Sequence, residues 1–306
     1  MALASTLLMV RPFAFGVNEE TVSSNFFLQQ DVSKNNSKIE NDALVEFDRM
    51  VEILRKHEID LIIIEDTPEP EKPTAVFPVD WICTTPENVV MVFPMLAPNR
   101  RTEKRDDIIK KLSENFLIAD VQDWTEFEVE GKFLEGTGSM VIDHDNKVIY
   151  ACYSPRTDTS VLEKFANANN FRAFVFFATD LEERAVYHTN LVMSLCEDFA
   201  VLCLEAIDEE WERIAIRQLL DSSGHEIIRI TKEQMHAFAG NILQVKNKKG
   251  KKFLVMSETA YDSLTNEQKE EFLARSEILT IPVAVIERTG GSSVQSMMAE
   301  IFLKRK

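Results

Sequence analysis

Apolar positions along this chain alternate between short continuous runs and helical spacing, and the alternation recurs. Leu7–Phe15 reads as an opening strand ended by Gly16. Ala43–His57 then sets Leu44, Phe47, Val51 and Leu54 at helical spacing with charges opposite, and Ile59–Ile64 follows as a buried strand. The polar, Asn- and Ser-rich segment Asp31–Asp42 lacks a period and predicts a mobile loop, either a lid or a disordered stretch. Glu65–Pro73, with three prolines and three glutamates, predicts another loop.

The same order then repeats. Trp81–Thr84 and Val89–Phe93 read as paired strands, Arg101–Glu114 as a charged helix, and Phe116–Asp120 as a short strand. Met140–Asp143 and Val148–Cys152 form a predicted hairpin, followed by helix Thr159–Asn169 and strand Phe171–Thr179. Met193–Leu195 and Phe199–Leu204 lead to helix Glu209–Ser222 and strand Glu226–Ile230. Ile242–Val245 and Phe253–Met256 lead to helix Asn266–Arg275 and strand Glu277–Ile281, and Met297–Phe302 closes the series as strand or helix. Hairpin, helix, strand at roughly fifty-residue intervals is the signature of a circular or stacked array. Blades of the usual propellers are all β, so a helix in each unit points to a different circular array. No internal linker is visible, and residues 1–306 are expected to form a single domain.

Composition narrows the functional classes. Apolar residues are 45% and charged residues 28% of 306, the balance of a globular protein rather than a disordered or fibrous one. Thirty-four basic against 51 acidic residues give a net charge of −17, which repels nucleic-acid phosphates and anionic membranes and leaves small cationic or zwitterionic ligands open. Apolar runs fall far short of the ~20 residues that a membrane helix needs. Met1–Val10 has no basic flank and runs into Arg11-Pro12, unlike a signal peptide. Cys83, Cys152, Cys196 and Cys203 form no CxxC pair and no zinc-type cluster, and are expected to be reduced thiols in a cytoplasmic protein.

Four segments are too polar for their apolar surroundings: Phe77–Trp81 around Asp80, Leu134–Ser139 with Glu135, Tyr187–Asn190 with His188, and Gly290–Ser296. Each lies near a strand end, where folds present functional groups. Each also has a plain structural reading: a turn cap for Asp80, an ion pair for Glu135, a core imidazole for His188, a loop for the Gly-Gly-Ser-Ser run.

Together, and in this order, the segments resemble the pentein superfamily of guanidine-modifying enzymes, the amidinotransferase-like proteins. The nearest likeness is to its citrulline utilisation hydrolase branch, related to arginine deiminase and dimethylarginine dimethylaminohydrolase. Met9-Val10-Arg11-Pro12, Phe15-Gly16-Val17-Asn18, Val76–Thr84, Phe93–Arg101, Leu134–Met140, Ala151–Thr157, Tyr187–Asn190 and Gly290–Ile301 carry the resemblance over nearly the whole chain. It implies an α/β fold, a five-bladed α/β propeller of ββαβ-type units around a central channel, in agreement with the repeat. It also implies hydrolysis of a C–N bond in a ureido or guanidino amino acid. Citrulline giving ornithine, ammonia and carbon dioxide is the foremost expectation, with no cofactor and no metal.

By the same resemblance, Asp80 and Glu135 hold the substrate's planar group and His188 is the general acid and base. Arg156, in Ser154-Pro155-Arg156-Thr157, grips the substrate carboxylate; apart from the resemblance, Arg100 and Arg101 read as candidate helpers at that carboxylate and Asn190 as a further binding residue. Arg100 with Arg101 also reads as a surface pair at a helix start. Asn18, Thr21 and Asn25 either line the entrance or satisfy a turn, the turn being the preferred reading, and Asn241 either faces the channel or, by default, caps a strand start. Arginine deiminases carry an acidic residue where this chain has Asn190, which weakens arginine as the substrate. The family's nucleophile is a cysteine, and its place here holds Ser296. A thiol titrates near ~8.5 and yields a thiolate readily, whereas a serine hydroxyl needs a base in the same step. The chain is therefore expected to be inactive or nearly so while still binding. Two origins fit: a Cys-to-Ser change that traps substrate, or a non-catalytic pentein. An arginine deiminase, a dimethylarginine hydrolase and an amidinotransferase are the remaining alternatives. Partners are expected to be small molecules rather than nucleic acid or membrane, with a homo-oligomer left open.

Overall fold

The computed structural model describes residues 3–28 and 36–306. Among the described residues, fifteen strands form five three-stranded sheets. In chain order, β1 (Thr6–Arg11) pairs parallel with β2 (Asp60–Glu65). Strands β3 (Ile82–Thr84), β4 (Val89–Val92) and β5 (Asp120–Asp123) make the second sheet. Strands β6 (Met140–Asp143), β7 (Val148–Cys152) and β8 (Arg172–Phe176) make the third. The fourth holds β9 (Met193–Leu195), β10 (Phe199–Leu202) and β11 (Glu226–Arg229), and the fifth β12 (Leu243–Lys246), β13 (Lys252–Ser257) and β14 (Glu277–Ile281). Finally β15 (Ala299–Glu300) pairs antiparallel with β1, so the first sheet is built from both ends of the chain. Every sheet has the same plan: an antiparallel pair, then a parallel partner reached through helix.

Burial on both faces explains why the strands read as continuous apolar runs rather than alternating ones. Leu7 and Met9 of β1 enter one core, with Phe253 and Val255 of β13; Leu8 and Val10 enter another, with Trp81, Val90 and Val92. Met91 of β4 packs with Ile149 and Ala151 of β7, while Val148 and Tyr150 of β7 pack with Val201 of β10 and Leu254 of β13. Alternate residues of one strand thus belong to cores on either side of its sheet, and the cores lead from sheet to sheet back to the first. The helix Asn36–Lys56 contributes Ile39, Ala43, Phe47, Met50 and Leu54, a stripe at steps of three and four residues. Truncating the fully buried Phe47 to alanine is expected to cost about 3–5 kcal/mol.

Several boundaries differ from the sequence expectation. Of Asp31–Asp42, residues 31–35 lie outside the described part, and 36–42 are helical rather than loop, because Ile39 already begins the apolar stripe. The single helix expected over Arg101–Glu114 is two pieces, a 3₁₀ segment Pro98–Glu103 and a helix Asp106–Asn115, separated where Arg100 and Glu103 turn inward. The strand expected at Phe116–Asp120 falls at Asp120–Asp123: Phe116 is drawn into the core, and an exposed polar edge does the pairing. The opening strand ends at Arg11, before Pro12. The helix Ala284–Gly290 was not visible as a period.

Candidate functional site

The polar segments converge by one rule. Each precedes the first strand of a sheet. Asp80 ends a 3₁₀ turn (Pro78–Asp80) before β3; Glu135 precedes the short helix Gly136–Ser139 before β6; His188 precedes Thr189–Val192 before β9; Ser296 lies in the turn Val294–Met297 before β15. The fifth sheet obeys the rule through Asn241, just ahead of β12. All five are at least 97% buried.

His188 joins the two carboxylates. Its Nε2 lies 2.8 Å from Glu135 Oε2, and its Nδ1 lies 3.6 Å from Asp80 Oδ1. Gly138 makes this approach feasible: a Cβ there would lie 2.3 Å from Asp80 Oδ1 and 2.7 Å from His188 Nδ1. Gly136 adopts φ +47°, and a Cβ on it would meet the Val79 carbonyl oxygen at 2.2 Å, so both glycines of the Glu135 segment are dictated by packing.

Each carboxylate has its own arginine. Arg100 Nη1 donates to Asp80 Oδ2 at 2.7 Å, and its Nε and Nη2 donate to the two oxygens of Glu103 at 3.0 and 2.9 Å. Burial disfavours the Arg100 charge, but Glu103 and Asp80 outweigh burial and raise its pKa well above the ordinary value. The remaining Arg100 contact is to the Phe77 carbonyl at 3.3 Å. Arg100 is therefore buried rather than a surface residue, and its donors go to Asp80, Glu103 and the Phe77 carbonyl. Arg101 donates to the Met95 and Leu96 carbonyls. Arg156 donates to Glu135 Oε2 at 3.4 Å and to Ser24 Oγ at 3.0 Å, and its guanidinium lies 4.3 Å from the Tyr187 ring centroid. Burial pushes the Glu135 carboxyl upward, but the Arg156 charge and the His188 hydrogen bond prevail and hold it well below the usual carboxylate range.

Around the two carboxylates, two buried atoms lack hydrogen-bond partners, Asp80 Oδ1 and Arg156 Nε; beside Ser296, Asn190 Oδ1 is a third. The first accepts and the second donates, and an unsatisfied buried polar atom costs about 1–3 kcal/mol unless a ligand answers it. One ligand-type atom from each of Asp80, Glu135 and His188 falls within 4.8 Å of the others, a spacing that could also hold a metal ion, although both carboxylates already face arginines.

Ser296 sits among donors. Asn190 Nδ2 and Asn241 Nδ2 each donate to its Oγ at 3.1 Å, and Ser292 Oγ lies 2.6 Å away. Asn241 Oδ1 accepts from the backbone N–H groups of Gln295 and Ser296 at 3.1 and 3.4 Å. Among the described residues, no imidazole or carboxylate is hydrogen-bonded to the Ser296 hydroxyl. Around it, Glu287 accepts from Ser293, Tyr187 Oη donates to the Gly291 carbonyl, and Asn25 donates to the Gly290 carbonyl, which fixes the Gly/Ser loop. Asn18 accepts from the Glu20 N–H within its own turn and also bonds the side chains of Thr74 and Asn99. The four cysteines are free and buried, and burial pushes the thiols of Cys83, Cys152 and Cys203 up to about 12. None of them supplies a thiolate.

A family model described as N,N dimethylarginine dimethylhydrolase, eukaryotic, matches residues 11–303. The chain belongs to that family. No curated protein sequence matches it. Among solved structures, the N-terminal domain of ArgZ, an arginine dihydrolase from the ornithine–ammonia cycle in cyanobacteria, is similar as a Cys-to-Ser mutant bound to substrate. The TM-score is 0.73 at 13% identity, covering 96% of this chain and 97% of that one. Dimethylarginine dimethylaminohydrolase, as an adduct with S-methyl-L-thiocitrulline, matches with TM-score 0.65 at 14% identity, covering 98% and 100% of the two chains. Family and fold together place the chain in the pentein superfamily, with relatives of the arginine deiminase and dimethylarginine hydrolase kind. The matching family is the dimethylarginine one; the likeness to the citrulline branch has no counterpart among these matches. No helix among the described residues is long and apolar enough to cross a membrane.

Proposed function

We propose that this chain binds the guanidino or ureido group of a small amino acid, and that the fold is a closed five-bladed propeller forming one catalytic unit of a cytoplasmic C–N hydrolase. The observation that carries the reading is Asp80 Oδ1: a buried carboxylate oxygen without a hydrogen-bond donor, held in place by Arg100 and adjoining His188. A planar N–H-rich group answers such an oxygen through a charge-assisted hydrogen bond. Arg156, with its Nε unpartnered, suits the α-carboxylate at the other end of the ligand. Family membership favours an N-methylated arginine, with citrulline as the second reading, favoured by Asn190, an amide where arginine deiminases carry an acid.

With a cysteine at position 296, chemistry follows the family's covalent route. The thiolate attacks the central carbon, and His188 gives a proton to the departing amine. His188 then takes a proton from water, whose oxygen attacks the same carbon and expels the thiolate. Methylarginine would thus yield citrulline and a methylamine. In this chain Ser296 Oγ receives hydrogen bonds and has no base to take its proton, so it supports ligand binding without turnover. The substrate-bound Cys-to-Ser form of the ArgZ domain supports that reading. Calorimetric titration of the chain with dimethylarginine, arginine, citrulline and agmatine tests it. Binding of one carboxylate-bearing member, lost in Asp80→Asn, is expected; equal binding to Asp80→Asn, or none by either protein, overturns it.

A further inference from the structure

Next to the site, a cavity of about 50 Å³ is lined by β3, β6, β9 and residues of or beside β12 and β15. It has room for a few water-sized molecules and none for an amino acid. Asn190 and Gln295, which flank Ser296, border it. Four atoms on its lining residues are buried and without hydrogen-bond partners: Asn190 Oδ1, Ser194 Oγ, His144 Nδ1 and Glu300 Oε1. Asn190 and Ser194 are 99% and 94% buried. Elsewhere in the lining there is no Lys, Arg or Asp among the described residues, so the Glu300 carboxylate has no cation in the cavity it faces.

We infer that this cavity binds a small ammonium cation, with Glu300 as counter-charge and the Asn190 and Ser194 oxygens as acceptors. An amide oxygen, a hydroxyl oxygen, a carboxylate oxygen and a neutral imidazole nitrogen can all accept, and an ammonium ion offers four N–H donors with one positive charge. The metal-binding alternative is weaker, since the lining offers one carboxylate and mostly apolar neighbours. The inference rests in part on the proposed function: C–N hydrolysis by a cysteine-bearing form would release an ammonium or methylammonium ion, and Asn190, which donates to Ser296 Oγ, borders this cavity. Burial pushes the Glu300 carboxyl up to about 7. Its titratable neighbours are His144, which burial holds neutral at about 4, and the thiols of Cys83 and Cys196, which burial holds protonated. The cavity therefore acquires its negative charge above neutrality.

The test compares melting temperatures at pH 8 in ammonium chloride and in sodium chloride of equal ionic strength, using the chain as it is. Ammonium is expected to raise the melting temperature more than sodium, the excess vanishing in Glu300→Gln and shrinking in Ser194→Ala. Equal effects of the two salts, or an excess that survives both substitutions, overturn the inference. Because no turnover is involved, failure here leaves the amino-acid titration standing. Failure of that titration with an ammonium excess intact removes the proposed reaction and keeps the cation site.

Discussion

Asn241 holds Ser296 at both ends: its Nδ2 donates to the side-chain oxygen at 3.1 Å, and its Oδ1 accepts from the Ser296 backbone N–H at 3.4 Å. With Asn190 on the same oxygen at 3.1 Å, the site is arranged to receive electron density at that atom rather than to withdraw a proton from it. Ser296→Cys should therefore present a thiol whose ionised form meets two N–H donors. Donors to an anion lower its pKa. In the Ser296→Cys background, Asn241→Leu is expected to raise the thiol pKa by about one unit, the equivalent of ~1.4 kcal/mol of lost stabilisation. The pH dependence of thiol alkylation measures it, and identical profiles would remove Asn241 from the account.

Gly138 allows Asp80 and His188 to meet. Gly138→Ala places a Cβ within 2.3 Å of Asp80 Oδ1 and 2.7 Å of the His188 ring. The expected cost is about 1–3 kcal/mol from overpacking, with amino-acid binding lost altogether. Thermal unfolding and calorimetry on the same sample separate the two effects. Unchanged binding would show that Asp80 and His188 do not have to stand so close.

We propose that Arg100 positions Asp80, to which its Nη1 donates. Arg100→Met leaves Asp80 and Glu103 buried without a counter-charge and should destabilise by about 3–5 kcal/mol. Adding Glu103→Leu should restore part of that stability but not ligand affinity, since Asp80 Oδ2 still lacks its donor. Full recovery of binding in the double variant would contradict the positioning role.

Glu135 and Glu300 should bend the stability curve in opposite directions. The Glu135 carboxyl is held below its usual range, so its contribution is complete above the unfolded value of ~4.3 and is lost as pH falls through the folded value. The melting-temperature advantage over Glu135→Gln should shrink on going from about pH 6 to about pH 3. Glu300 is raised to about 7, so its ionisation costs stability as pH climbs from ~4.3 through that value. Glu300→Gln should be more stable than the parent at about pH 8, by about 1–3 kcal/mol, and no different near pH 4.

The repeat was legible because each sheet is buried on both faces, so strands such as Val148–Cys152 announce themselves as unbroken apolar runs. Asp80, Glu135, His188 and Ser296 were legible as polar breaks ahead of such runs. Asn241 carried the same signal, an amide two residues before β12, but one Asn after a Gly is indistinguishable from a strand cap until the fivefold rule is seen. The burial of Arg100 was hidden because its run, Pro-Asn-Arg-Arg-Thr-Glu, is as charged as a surface helix; its inward turn depends on Asp80, twenty residues away. The early start of the helix at Asn36 was hidden because polar residues surround Ile39, its first apolar contact.

Position 296, we propose, is where the nucleophile of a C–N hydrolase belongs. Release of ammonia or methylamine by Ser296→Cys, beside the unaltered chain, tests it most directly. Across dimethylarginine, arginine, citrulline and agmatine, the cysteine form should turn over one carboxylate-bearing compound, while the serine form binds that compound and releases nothing. A cysteine form that binds the same compound with its thiol ionised and still yields no amine would contradict the account.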